Sequence, residues 1–174
     1  MAFTLVSGAR DNAIASLSLK HVDVNRRTVF QDARSVRTKN AKTFTSTFFP
    51  VGADIEAIVV DWISQLRSEG FGPDDPLFPA TKVAPGPNRL FVPIGLSRSH
   101  WRDAGPIRRI FKEAFERARL PYYHPHSFRH TVARHGERMS LTPEQWQAYS
   151  QNFGHSSPMT TFISYGSVAQ HRQA

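Results

Sequence analysis

The chain has no cysteine. That excludes disulfides, iron–sulfur clusters and thiolate zinc sites, and it suits a reducing compartment. Long apolar runs are missing as well: none approaches the roughly 20 residues that span a bilayer. The stretch from Met1 to Arg10 has no basic segment ahead of an apolar one, so no signal peptide is read and a cytoplasmic protein is expected. Acidic residues are scarce, 14 against 22 lysines and arginines, which leaves a net charge of +8. A surplus of that size favours a polyanion, because neutralised phosphates release condensed counterions. Nucleic acid is therefore the expected partner, with no membrane and no small-molecule substrate. Internal repeats and low-complexity tracts are absent too.

What is present is ordinary for one globular domain: 174 residues, 40% of them hydrophobic. A chain of that length buries enough surface for a core without covalent staples. Residues 11–18 carry a short helical pattern, with Asp11 as a cap and Ile14 and Leu17 inward. His21 to Val24 and Thr28 to Asp32 flank the turn Asn25-Arg26-Arg27 and read as strands. Thr43 to Val51, rich in threonine and phenylalanine, reads as a third strand, with the basic segment Arg37 to Lys42 as a hairpin tip.

Helices follow. Ile55, Ile58, Val59, Trp62, Ile63 and Leu66 mark one face of a helix that Asp54 caps and Gly70 ends. Residues 71–97 hold six of the twelve prolines and read as a long loop, with a short strand near Leu90 to Ile94. Ile107, Ile110, Phe111, Ala114, Phe115 and Ala118 mark a second helix from Gly105 to Leu120, whose other face, Arg108, Arg109, Lys112 and Arg119, reads first as solvated and second as a DNA contact. A third helix starts around His124 to His130, with Phe128, Val132 and Met139 inward. Thr142-Pro-Glu-Gln145 is a capping box that starts a fourth helix at Pro143, ending near Asn152. Ser157-Pro158 opens a last short helix towards Tyr165. The expected fold is mainly α (α+β): helical, with a small antiparallel β-sheet near the N-terminus. Trp62, Trp101 and Trp146 are expected in or at the core.

Four features carry chemistry. His126 and Arg129 are three apart on one helical face and can address the same anion, the arginine as a bidentate fork and the histidine as a proton carrier. Gly154-His155 is followed ten residues later by Tyr165. A tyrosine with its ordinary pKa of about 10 becomes a nucleophile where cations attract its phenolate. Ser7-Gly-Ala-Arg10 places a second arginine before a helix, and Lys39 on the hairpin offers a mobile ammonium as general acid.

Taken in order, these residues resemble the tyrosine recombinases. That family has an arginine in a Thr-Gly-x-Arg-like box, a hairpin lysine, a His-x-x-Arg box, a Gly-His box and a C-terminal tyrosine. Ser7-Gly-Ala-Arg10, Lys39, His126-Ser-Phe-Arg129, Phe153-Gly-His155 and Thr160-Thr-Phe-Ile-Ser-Tyr165 match them from residue 7 to residue 165. The resemblance implies a helical catalytic domain that breaks and rejoins double-stranded DNA without metal or cofactor. In it Tyr165 attacks the phosphate and forms a 3′-phosphotyrosyl link. Arg10 and Arg129 clamp the phosphate, His155 donates to it, and His126 positions it or moves the tyrosine proton. Lys39 is the general acid, with Lys42 as its substitute. It also implies self-association into a tetramer on DNA.

Two departures from the family pattern stand out. The tyrosine usually lies nine residues after the Gly-His histidine; here Ser164 is ninth and Tyr165 tenth. The usual upstream DNA-binding domain, and the helix leading into the first box, are expected to be missing, so that residues 1–174 form a single catalytic domain.

Two other readings compete. A non-catalytic DNA-binding remnant of the same fold would bind DNA with the same salt dependence, and only a covalent adduct separates it from an enzyme. A zinc site on His126 and His130 lacks the glutamate of a His-Glu-x-x-His motif, since Ser127 stands there. His130 and His135 read as structural, one of them bonding neighbouring backbone.

Overall fold

The computed structural model describes residues 1–139 and 141–165, and within them the side chains of all but Phe162 and Tyr165. The chain opens with helix α1 (Ala2–Ser7) and the single turn α2 (Asp11–Ile14). A helix does therefore lead into Arg10, contrary to expectation. It ends because Gly8 adopts a left-handed conformation, φ 59°, and donates its N–H to Thr4 O at 3.0 Å. A Cβ at Gly8 would lie 2.7 Å from the Phe49 ring, so the turn needs glycine twice over.

A three-stranded antiparallel sheet follows: β1 (Val22–Asp23), β2 (Thr28–Gln31) and β3 (Phe44–Thr47), in the order β1-β2-β3. The strands are shorter than the sequence suggests but pair as expected, with Val22 opposite Val29 and Val29 opposite Ser46. Asp23 shapes the first turn by accepting from the N–H groups of Asn25 and Arg26 at 3.0 and 2.9 Å. Residues 32–43 connect β2 to β3, and they include a 3-10 turn at Lys39–Ala41.

Helix α3 (Ala53–Ser68) has Gly52, not Asp54, at its N-cap; Asp54 lies in the first turn, where its charge suits the helix dipole. Its buried stripe is Val59, Ile63 and Leu66, narrower than the periodicity implies, and Ile58 is 57% exposed. The proline-rich stretch is not a plain loop. It folds into a second antiparallel pair, β4 (Thr81–Pro85) and β5 (Phe91–Leu96), closed by a bond from Gly86 N to Leu90 O. Proline is tolerated here because, among the described residues, no strand pairs with the outer edges of the two strands. Val83, Leu90, Phe91, Val92 and Ile94 on this hairpin are exposed.

Helix α4 (Gly105–Arg117) stops three residues before Leu120. Arg119 turns left-handed, φ 55°, and the N–H groups of Leu120 and Arg119 return to Phe115 O and Glu116 O, closing the last turn. Ile110 is exposed rather than inward. The basic face is solvated as expected, with ion pairs from Arg108 to Asp11, Arg109 to Glu113 and Lys112 to Glu116. Helix α5 (Pro125–Arg138) buries Val132 and half-buries Phe128, while Met139 caps its end and is exposed. Helix α6 (Pro143–Asn152) begins with the expected capping box: Gln145 N donates to Thr142 Oγ1, and the Gln145 side chain accepts from Thr142 N. Helix α7 (Pro158–Tyr165) closes the described chain.

Two apolar clusters result. The larger joins α1, α2, the sheet, α3 and α4 around Val6, Leu17, Val29, Ile63, Leu66 and Phe111. The smaller joins α5 and α6 to Phe49 through Val132, Ala133, Trp146, Tyr149 and Phe153. Trp146 is buried, and Trp62 and Trp101 are half-buried. His135 Nε2 lies 3.0 Å from Pro50 O, in the structural role expected of it. No described helix is long and apolar enough to cross a membrane.

Candidate active site

The site forms at the seam between the two clusters. Arg129 sits one turn into α5 and is 2% exposed. A buried guanidinium needs acceptors, since losing hydration without replacement costs several kcal/mol, on the order of the full desolvation of a charged group. It has them. Its Nη1 donates to Gly8 O, its Nη2 donates to Phe153 O at 3.1 Å, and its Cζ lies 4.8 Å from the centre of the Phe153 ring. Both carbonyls belong to turns beside the other motifs, Gly8 next to Arg10 and Phe153 next to His155. Arg129 therefore ties three of the sequence boxes together through backbone.

His155 follows Gly154, whose φ of 75° and close approach to the Phe44 ring both require glycine. The residue is 9% exposed, and its ring stacks at 24° on Phe153. Nδ1 lies 2.8 Å from Thr161 Oγ1. Burial pushes the pKa of His155 down to about 4, helped by the charges of Arg129, Arg10, Lys42 and Lys39. All four cations expected at the site thus act on one imidazole.

His126 stands at the mouth, exposed, with its ring 5.1 Å from that of His130 and 6.3 Å from that of His124. The packing around it lowers its pKa to about 4, together with Arg129, His130, Arg10 and His124. Both histidines are neutral at pH 7. Arg10 is the N-cap residue of α2, half-buried, and it acts on both.

The two lysines lie on the β2–β3 connection and differ. Lys39 is exposed in the 3-10 turn. Lys42 reaches the site itself: its Nζ donates to Gly154 O at 2.7 Å. The base of this connection is held by three bonds. Arg37 N donates to Ser16 Oγ at 2.9 Å, Arg37 Nη2 donates to Trp101 O at 2.8 Å, and Ser35 Oγ lies 3.1 Å from His21 Nε2. Tyr165 is the last residue of α7, and its side chain lies outside the described residues; Ser164, at the ninth position, is exposed.

The structure thus gathers Arg10, Arg129, His155, Lys42 and, at the rim, His126 and Lys39. Sequence reasoning missed Thr161 and Ser150, which stand behind His155, and the Phe153 ring under Arg129. No pattern announces them, because each acts through contacts that only the folded chain creates. Among the described residues no group of three or more histidines, aspartates or glutamates converges to hold a metal ion.

Comparison with known proteins points one way. A search of curated proteins returns no match. Among solved structures, XerA recombinase matches at 20% identity and a TM-score of 0.66, covering 99% of this chain and 57% of that one. The Tn1549 transposon integrase in complex with circular intermediate DNA matches at 17% identity and a TM-score of 0.55, covering 98% and 55%. The chain spans a little over half the length of these relatives, and at such identities the likeness is one of fold. The phage integrase family model matches residues 1–172, nearly the whole sequence, and the chain belongs to that family.

Proposed function

We propose that this chain is the catalytic domain of a site-specific tyrosine recombinase, breaking and rejoining double-stranded DNA by transesterification. The observation that carries this reading is the seat of Arg129: a buried guanidinium locked to Gly8 O and Phe153 O, beside a neutral, buried His155 and the ammonium of Lys42. A fixed guanidinium with further cations gathered around one imidazole suits a phosphate whose oxygens gain charge in the transition state.

In this mechanism Tyr165 Oη attacks the scissile phosphorus and the bond to the 5′ oxygen breaks. A 3′-phosphotyrosyl link and a free 5′-hydroxyl result. Arg129 and Arg10 hold the non-bridging oxygens, and His155 donates a hydrogen bond to one of them. A hairpin lysine, Lys39 or Lys42, protonates the leaving 5′ oxygen. His126, neutral at working pH, takes the tyrosine proton as the phosphate's charge draws near. Attack of a second 5′-hydroxyl on the phosphotyrosine reverses the step and rejoins DNA. Metal and cofactor have no part in these steps. Assembly as a tetramer on DNA belongs to the same proposal, since each exchange needs paired cleavages.

The test is a pool of nicked duplexes, in which the short fragment beyond the nick diffuses away after cleavage and traps the intermediate. A denaturation-stable protein–DNA band is expected with the wild-type chain and not with Arg129→Ala. No band at any substrate, together with intact salt-dependent binding, would support a DNA-binding remnant instead.

A further inference from the structure

Behind His155 lies a pair of hydroxyls to which the mechanism above assigns no role. Thr161 Oγ1 on α7 lies 2.8 Å from His155 Nδ1 and 2.7 Å from Ser150 Oγ on α6. Thr161 and Ser150 are each 1% exposed. Polar groups buried this deeply persist where they are paired, so the three side chains form an ordered row from one helix to the next. An imidazole has two nitrogens. With Nδ1 turned onto Thr161, the ring addresses the site through Nε2.

The direction of the hydrogens follows from what each group can do. Ser150 has one hydroxyl hydrogen and two acceptors in reach, Thr161 Oγ1 at 2.7 Å and Ser157 O at 3.4 Å. At 3.4 Å the carbonyl lies beyond the usual O–H···O range, whereas 2.7 Å is the usual length, so the contact to Thr161 takes the hydrogen. That leaves the Thr161 hydrogen for Nδ1. A ring whose Nδ1 accepts carries its own hydrogen on Nε2. Phosphate oxygens only accept, so this is the tautomer that can serve them.

We infer that Thr161, backed by Ser150, is a positioning residue that holds His155 as the Nε2–H tautomer and aims it at the scissile phosphate. The inference rests on the proposed phosphoryl-transfer function. Neutrality of the ring is what makes the tautomer matter, and burial with Arg129, Arg10, Lys42 and Lys39 around it keeps the ring neutral at pH 7.

The experiment is long-range nitrogen–proton NMR of the histidine rings in the ¹⁵N-labelled chain at pH 7, with His155 assigned through His155→Gln. The wild type and Thr161→Ser should show the Nε2–H pattern, and Thr161→Val a mixture of tautomers. Cleavage of nicked duplexes should then fall roughly 10- to 100-fold in kcat for Thr161→Val, with KM unchanged and recovery in Thr161→Ser. Ser150→Ala, which keeps Thr161, should fall between. A wild-type ring protonated on Nδ1, or a Thr161→Val ring with the wild-type tautomer, would overturn the inference. If the tautomers behave as expected while neither the wild type nor any variant cleaves DNA, Thr161's hold on the Nε2–H tautomer stands, and the recombinase reading fails together with the aim at a scissile phosphate.

Discussion

Two regions bring positive charge to the same place by opposite means. The seam of α5 with the turns at Gly8 and Phe153 holds Arg129 buried, bonded to two carbonyls and stacked on an aromatic ring. The β2–β3 connection brings Lys39 and Lys42 on an exposed segment, anchored through Ser35 and Arg37 on one arm and by the bond from Lys42 to Gly154 O at its β3 end. A group that stabilises developing charge works best when it does not move, because reorganisation in the transition state costs energy. A group that gives up a proton must approach, release it and recover it from solvent. In the proposed mechanism the difference between the regions is the difference between these tasks.

The largest effect should come from breaking the rigid half. Arg129→Ala removes the proposed phosphate fork and takes the Arg129 donor from the carbonyls of Gly8 and Phe153. Cleavage should fall by on the order of 1,000-fold or more, and chemical unfolding should show about 2–4 kcal/mol lost. Arg129→Lys should keep the charge but not both bonds, so stability and rate should recover only in part.

Breaking the exposed half should separate rate from stability. Lys42→Ala should cost roughly 100- to 10,000-fold in cleavage with a near wild-type melting temperature. Lys39→Ala should cost less, because Lys42 is the lysine whose ammonium reaches Gly154. A substrate with sulfur in place of the bridging 5′ oxygen needs no general acid. It should restore the Lys42→Ala rate and do nothing for Arg129→Ala. Equal rescue of both would erase the division of labour.

The pH response sharpens the same contrast, because the folded site holds neutral histidines where the unfolded chain would protonate them. His155 and His126 have folded pKa values near 4 against an ordinary 6.5. Between those values the unfolded chain binds more protons, so stability rises with pH across that window. It should be fully present above about pH 6.5 and be lost as pH falls towards 4. Melting curves at pH 7 and pH 5 should separate, and His155→Gln should narrow the gap; an unchanged gap would mean that the ring is not held neutral.

The smallest effect belongs to the β4–β5 hairpin. Phe91 is 71% exposed, so Phe91→Ser should change stability by within about 0.5 kcal/mol. Phe153→Ala, at the rigid seam, should cost about 3–5 kcal/mol by the same unfolding measurement.

The sequence made the helices and the site residues legible to different depths. Helices α3 and α4 showed through apolar periodicity and α6 through its capping box, since those signals are local. The three-stranded sheet showed through its turns. The β4–β5 hairpin did not, because its prolines mimic a loop and its apolar residues face water instead of alternating. Ile58 and Ile110 were misplaced for a related reason: periodicity marks a face, and packing against neighbours decides how wide that face is. At the site, Arg10, Arg129 and His155 were legible as types in order. What locks them was not, because Arg129 reaches Gly8 across 121 residues and Lys42 reaches Gly154 across 112. Contacts of that span leave no trace in local spacing. Such a contact also sets Lys42, the substitute in sequence terms, apart from Lys39, since its ammonium bonds Gly154 O while both lysines act on His155.

The most direct test of the recombinase assignment is to trap the chain on nicked duplexes, digest protein and DNA, and locate the nucleotide adduct by mass spectrometry. An adduct on Tyr165, absent from Tyr165→Phe, is expected, and it would show that a tyrosine ten residues after His155 is the nucleophile. An adduct on any other residue, or a Tyr165→Phe chain that still traps DNA, would contradict it.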